Sequence, residues 1–167
     1  MGQPFLSELS RNRKLNLLLE HLSPGMKIME IGSNAGWFPD QLRSKGYEVK
    51  TLDIEPPADI VGDINNWREL GLQENMFDVC VALEVIEHVD CIDALSSLCK
   101  PSGMIMLSSP HPNWDWAMKL LEKVNLNQTR TSPHCNLTDF NSIPLKSLVR
   151  KRPAYIHQVA IFENRAV

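Results

Sequence analysis

Within five residues the chain carries two carboxylates and an imidazole: Glu84, Glu87 and His88, spaced i, i+3 and i+4. If this segment is helical, that spacing sets all three on one face. Hard carboxylate oxygens and a borderline imidazole nitrogen suit Mg²⁺, Mn²⁺ or Zn²⁺. His134, in the segment Ser132-Pro-His-Cys-Asn136, is a candidate fourth ligand. The same residues also fit metal-free chemistry. Imidazole titrates near neutral pH, so His88, His111 and His134 are candidate general bases. His111 stands between Pro110 and Pro112, in a loop that either overhangs a site or faces solvent.

A second constellation lies upstream. Lys27–Trp37 reads as a short apolar strand (Ile28, Met29, Ile31), a Gly-x-Asn-x-Gly turn and the start of a helix. Gly32 permits a tight turn, and Gly36 lets backbone approach a ligand or a neighbouring strand. Asn34 holds the middle position, where its tolerance of positive φ serves it. Seventeen residues beyond Gly36, a second apolar run ends on Asp53. In a parallel sheet that carboxylate lies beside the glycine turn and can accept hydrogen bonds from a ribose diol. The order strand, turn, helix, strand, acid points to an adenosine-type cofactor. The competing reading is a turn that serves chain geometry alone.

These residues need elements to hold them. Leu6, Leu9, Leu15, Leu18 and Leu22 predict a helix over 6–22, stopped by Ser23-Pro24-Gly25. Strands are expected at 27–31, 48–54, 60–61, 77–83 and 104–107, with helices at 36–45 and 89–99. A helical turn and loop fill 65–75. The run Phe77–Leu83 is apolar but for Asp78 near its start, as in a strand buried on both faces. Strands alternating with helices at this spacing predict an α/β domain with a parallel sheet covered on both sides. Trp114–Val124 reads as a helix, in which Trp114, Asp115 and Trp116 are candidates for a pocket wall. Residues 125–144 are polar and irregular, as binding segments and lids are. Two terminal strands, 146–152 and 155–164, are expected to pair antiparallel about Pro153. A single domain results, with a cofactor half at 27–110, a substrate lid at 111–145 and a strand pair at 146–167.

The totals exclude several classes. The chain has 167 residues, 43% hydrophobic and 22% charged, with a formal net charge of −3. That balance fits a globular domain and argues against a nucleic-acid partner. Arg11, Arg13 and Lys14, and again Lys146, Arg150, Lys151 and Arg152, read as solvated basic faces. Cys80, Cys91, Cys99 and Cys135 show no Cys-x-x-Cys spacing and read as reduced thiols. No apolar run reaches membrane-spanning length and no signal-peptide core is present, so a cytoplasmic chain without a membrane partner is expected.

The landmarks Glu30-Ile-Gly-Ser-Asn-Ala-Gly36, Asp53, Gly62-Asp-Ile64, Phe77-Asp78, Glu84-Val-Ile-Glu-His-Val89 and Lys100-Pro-Ser-Gly103 follow one another in a familiar order. In them the chain resembles class I S-adenosylmethionine-dependent methyltransferases of the type 11 group. Asn34 and Ser102 depart from that pattern, where glycines are commoner. The resemblance implies a Rossmann-like, doubly wound sheet of seven strands in the order 3-2-1-4-5-7-6, with strand seven antiparallel. It implies that Glu30 and the turn Gly32, Ser33, Asn34 and Gly36 line the methionine and ribose region. By the same likeness Asp53 holds the ribose hydroxyls, Ile54 packs on adenine, and Asp63 and the Ile64 backbone meet the adenine edge. Leu83 and Glu84 lie near the cofactor's ammonium group. Trp37 either covers the cofactor or belongs to the core, and Asp63 either binds adenine or caps a turn. The cluster Glu84, Glu87, His88 and His134 resembles the metal sites of ubiquinone-pathway O-methyltransferases and small-RNA 2′-O-methyltransferases. The implied reaction is methyl transfer to a hydroxyl of a small-molecule or glycan acceptor. Two alternatives stand beside it: RNA 2′-O-methylation, and a non-catalytic cofactor-binding module that scaffolds a partner.

Overall fold

The computed structural model describes residues 5–33, 36–110, 139–152 and 157–164. Helix α1 (Phe5–Leu19) leads into β1 (Lys27–Ile31), α2 (Trp37–Ser44), β2 (Glu48–Asp53) and β3 (Ile60–Val61). A 3₁₀ turn (Ile64–Asn66), β4 (Phe77–Leu83), α3 (Ile92–Leu98) and β5 (Cys99–Pro110) follow. The sheet closes with β6 (Lys146–Lys151) and β7 (His157–Glu163). All seven strands join one sheet in the order β3-β2-β1-β4-β5-β7-β6. The first five strands of that order run parallel, and β7 is antiparallel to both β5 and β6. This is the expected Rossmann-like topology.

Strand periodicity explains the two-sided burial. Ile28, Val79, Val81, Met104, Met106, Val159 and Ile161 form one apolar layer with Leu15 and Leu18 of α1 and Phe38 and Leu42 of α2. Their neighbours Met29, Cys80, Ala82, Ile105, Leu107, Ala160 and Phe162 point to the other layer, against α3 and Trp67. Alternate side chains serve opposite faces, so a strand with helices on both sides is apolar at every position. That is why Phe77–Leu83 carries no polar alternation.

Three segments differ from the sequence expectation. The helix predicted over 89–99 begins only at Ile92, and residues 86–88 form a turn. Strand β5 starts at Cys99 rather than 104: Phe77 pairs with Cys99 and Val79 with Met104, so residues 100–103 bulge. The end of the expected lid is core, since Phe140 (1% exposed) and Ile143 are buried and Phe140 meets Phe162 edge-on at 6.1 Å. The rest of the lid, with the helix predicted at 114–124, lies outside the described residues.

Candidate active site

Open parallel sheets bind ligands beyond the carboxyl ends of their strands, where β1, β2 and β4 end here. Past β1 the chain turns sharply: Gly32 takes φ +73° and donates its N–H to Leu52 O at 2.9 Å. A Cβ on Gly32 would meet Val85 Cγ2 at 2.4 Å, so the turn after β1 presses directly on the turn after β4. Gly36, at φ +71°, caps α2 and donates to Ser33 O at 2.9 Å. Both glycines therefore sit where side chains are strained.

Two buried polar atoms mark this turn. Glu30 Oε2 and Ser33 Oγ have no hydrogen-bond partner among the described residues. Burial pushes the Glu30 carboxyl up to about 8, with Asp40 and Asp53 raising it further and Arg43 pulling it down. Orphaned buried polar groups are rare and costly, and an unmet ligand is a ready explanation. Trp37 is half-buried, packs on the α1–α2 core layer and stands 6.2 Å from Phe38, which favours the core reading. Asn34 lies outside the described residues.

Asp53 ends β2 and Asp63 follows β3 by two residues. Asp53 pairs with Val61 in register, and Gly62 N donates to Asp53 O at 2.8 Å. Asp53 Oδ1 accepts from Glu55 N at 3.3 Å, and Ile54 beside it is 73% exposed. Asp63 is exposed and caps the 3₁₀ turn, accepting from Asn65 N at 2.9 Å. Ile64 is buried in the core. Cys91 ties the region together: burial pushes its thiol up to about 12, and Asp90, Glu87 and Asp63 add to the shift.

Beyond Leu83, Glu84 adopts φ +58° and donates its N–H to Ser108 O at 2.9 Å. Its Oε1 accepts from Lys14 Nζ at 2.6 Å and from Ser108 Oγ at 2.7 Å, and lies 3.6 Å from His157 Nδ1. Burial alone would raise this carboxyl, but the Lys14 ammonium and His157 hold it well below the usual carboxylate range. Glu87 is its opposite. It is 1% exposed with Oε2 unpartnered among the described residues, and burial and then Glu84 raise its carboxyl to about 8. Ser109 and Lys14 moderate that rise.

The shared helical face expected for Glu84, Glu87 and His88 is not formed. Glu84 is in the left-handed region, the chain turns at 86–88, and helix begins eight residues after Glu84. Glu87 is consequently buried while His88 is exposed. Among the described residues no three His, Cys, Asp or Glu side chains gather to hold a metal. His111 and His134 lie outside the described residues, as do Trp114, Asp115 and Trp116.

Sequence reasoning missed Lys14, Ser108, Ser109 and His157. Lys14 is not on a solvated face but 8% exposed. Its sequence signal was helical phase: Lys14 stands four residues before the buried Leu18. Ser108 and Ser109, a polar pair ending a buried apolar strand, were also readable as site residues.

A family model described as a methyltransferase domain matches residues 6–150. The ubiquinone biosynthesis O-methyltransferase of Rhodopseudomonas palustris (strain TIE-1) is 27% identical over 125 residues, covering 64% of this chain and 47% of that protein. The enzyme of that name from Paraburkholderia phymatum is 26% identical over 111 residues, covering 56% and 47%. The chain thus spans about half the length of the curated relatives it matches. Among solved structures, the PH0226 protein of Pyrococcus horikoshii OT3 aligns with a TM-score of 0.72 at 15% identity, over 95% of this chain and 92% of that one. A SAM-dependent methyltransferase from Methanosarcina mazei gives 0.64 at 16% identity, over 90% and 98%. At such identities the structures speak for the fold. The family model spans most of the sequence, and the chain belongs to the methyltransferase domain family, among the class I S-adenosylmethionine-dependent methyltransferases.

Proposed function

We propose that the chain transfers the methyl group of S-adenosylmethionine to a hydroxyl of a small-molecule acceptor. The observation that carries the cofactor half is the orphaned pair, Glu30 Oε2 and Ser33 Oγ, beneath the Gly32 turn. The O-methyl half draws support from the relatives named above, at 26–27% identity over about half their length.

Glu30, Ser33 and the Gly32–Gly36 backbone would hold the methionine and ribose portions, with Asn34 in the same turn. Asp53 would accept from the ribose diol, Ile54 would cover adenine with its exposed side chain, and Asp63 with the Ile64 backbone would meet the adenine edge. Leu83 and Glu84 would border the methionine end. Bound S-adenosylmethionine supplies a methyl carbon on a sulfonium, open to in-line attack. The protein must orient the acceptor oxygen and take its proton as the new O–C bond forms. Glu87 is suited to that proton: a carboxyl near 8 is a stronger base than an ordinary one. His88, His111 and His134 are the further candidates. For a divalent ion on Glu84, Glu87, His88 and His134 the support is weaker: among the described residues no metal-binding set gathers, and Glu84 Oε1 already accepts from Lys14 and Ser108.

The free, buried Cys80, Cys91 and Cys99 suit a reducing compartment, and we place the reaction in the cytoplasm. No helix among the described residues is long and apolar enough to cross a membrane.

The test uses thermal unfolding with S-adenosylhomocysteine, where the midpoint should rise with ligand concentration. No shift at millimolar ligand removes the cofactor reading. Methyl-labelled S-adenosylmethionine, incubated with a small-molecule extract, should then yield a labelled methyl ether. Label on nitrogen, carbon or RNA instead would overturn the hydroxyl acceptor.

A further inference from the structure

Lys14 of α1 sets an ammonium against Glu84 Oε1, the oxygen that also accepts from Ser108 Oγ, and near enough to Glu87 for its charge to act there. Lys14 is 8% exposed, and its buried charge is offset by pairing with Glu84. An ammonium has three protons to donate. Among the described residues Lys14 gives one, to Glu84 Oε1 at 2.6 Å, and has no other partner. The rest of that corner is similarly incomplete. Ser108 is fully buried and donates to the same oxygen, while Glu87 Oε2 and His157 Nδ1 have no hydrogen-bond partner among the described residues.

We propose that Lys14 is the resident cation of the acceptor site, its ammonium receiving the hydroxyl oxygen of a neutral acceptor where a divalent ion would otherwise sit. This rests on the O-methyl reading above and deepens it. Glu84 Oε1 accepts from Lys14 and Ser108 and lies 3.6 Å from His157 Nδ1, so a metal ion there would stand at contact distance from a like charge. While Glu87 holds its proton, the charges of Lys14 and Glu84 cancel and the corner selects neither an anion nor a cation. It offers donors and acceptors together, which is what a neutral hydroxyl needs. As that oxygen attacks the methyl carbon, the S–C bond breaks with its electron pair left on sulfur. The hydroxyl proton leaves to Glu87, and Lys14 keeps the oxygen turned toward the methyl.

The experiment titrates Mn²⁺ alone into the full chain and follows free Mn²⁺ by its paramagnetic resonance signal. Wild type should leave the ion free at millimolar concentration. Lys14→Met, which uncovers Glu84, should bind it at least roughly tenfold more tightly. Lys14→Arg keeps a cation and should exclude Mn²⁺ like wild type. S-adenosylhomocysteine thermal shifts on each protein report folding and the cofactor reading separately, and Lys14→Gln replaces Lys14→Met if the latter does not fold. In the labelled-methyl assay on an extract, wild type should work in excess chelator, and Mn²⁺ should partly rescue Lys14→Met. Mn²⁺ uptake by wild type, a divalent requirement for its turnover, or a folded Lys14→Met with no gained uptake would each overturn the proposal.

Discussion

Gly32 and Val85 approach so closely that a Cβ on the glycine would fall 2.4 Å from Val85 Cγ2. This contact joins the turns after β1 and β4, the two that frame the candidate site. Gly32→Ala must also accept φ +73°. We expect it to cost roughly 2–4 kcal/mol, strain and overpacking together. Gly25→Ala provides the control, since Gly25 has φ +84° but nothing within 4 Å. It should cost only about 1 kcal/mol. Equal losses in denaturant unfolding would mean that the Val85 contact does not matter.

Asp53→Ala tests the diol contact. Losing two hydrogen bonds to a charged acceptor should weaken S-adenosylhomocysteine binding by about 2–3 kcal/mol. Asp53 also accepts from Glu55 N, so apo stability must be measured beside affinity. An unchanged dissociation constant in calorimetry would take Asp53 out of the site.

Glu30 gives a pH dependence with a definite sign. Its folded value of about 8 lies above the unfolded 4.5, so the folded chain keeps a proton that the unfolded chain loses between those values. Stability therefore falls as pH rises through that window, and the loss is complete above it. Glu30→Gln should match wild type near the acid end. At the alkaline end it should be more stable by on the order of 4 kcal/mol, because the amide has no charge to keep buried. Chemical unfolding across that range decides it, and parallel curves would place Glu30 in a wetter setting.

The strands and turns that carry the candidate site were legible because their signals are local. Gly32, Gly36 and Asp53 sit at fixed offsets from apolar strands, and a turn between them needs only those residue types. Phe77–Leu83 declares a doubly covered strand by lacking alternation. What escaped depends on tertiary contact. Lys14 and Glu84 are 70 residues apart in sequence, and no local pattern pairs them. Glu84 at positive φ breaks the helical phase that i, i+3, i+4 spacing assumes, and nothing in a glutamate announces that backbone. Phe140 and Ile143 were masked by polar neighbours in Asp139–Ser142 and so read as lid.

If Glu87 takes the acceptor's proton, kcat should rise with pH toward about 8, as its carboxyl ionises. Glu87→Gln should remove that ascending limb while S-adenosylhomocysteine affinity stays nearly unchanged. A limb that survives in Glu87→Gln but vanishes in a histidine variant would move the role to imidazole.

Asn164 offers the cleanest stability test outside the site. It is buried, and its Nδ2 donates to Cys99 O at 2.7 Å, Ser96 O at 2.8 Å and Lys100 O at 3.2 Å. Its backbone closes the clamp, with Asn164 N bound to Gly103 O and Ser102 N to Asn164 O, both at 2.8 Å. The side chain thus fastens the end of β7 to the α3–β5 junction and satisfies carbonyls that residues 100–103 leave open. Asn164→Ala should cost about 1–3 kcal/mol by stranding those carbonyls. Asn164→Asp keeps the shape but turns the donor into an anion facing three carbonyl oxygens. At neutral pH it should be worse than alanine, and protonation on acidification should narrow the gap. An aspartate variant as stable as wild type at neutral pH would show that the amide's donor role is not what holds this corner.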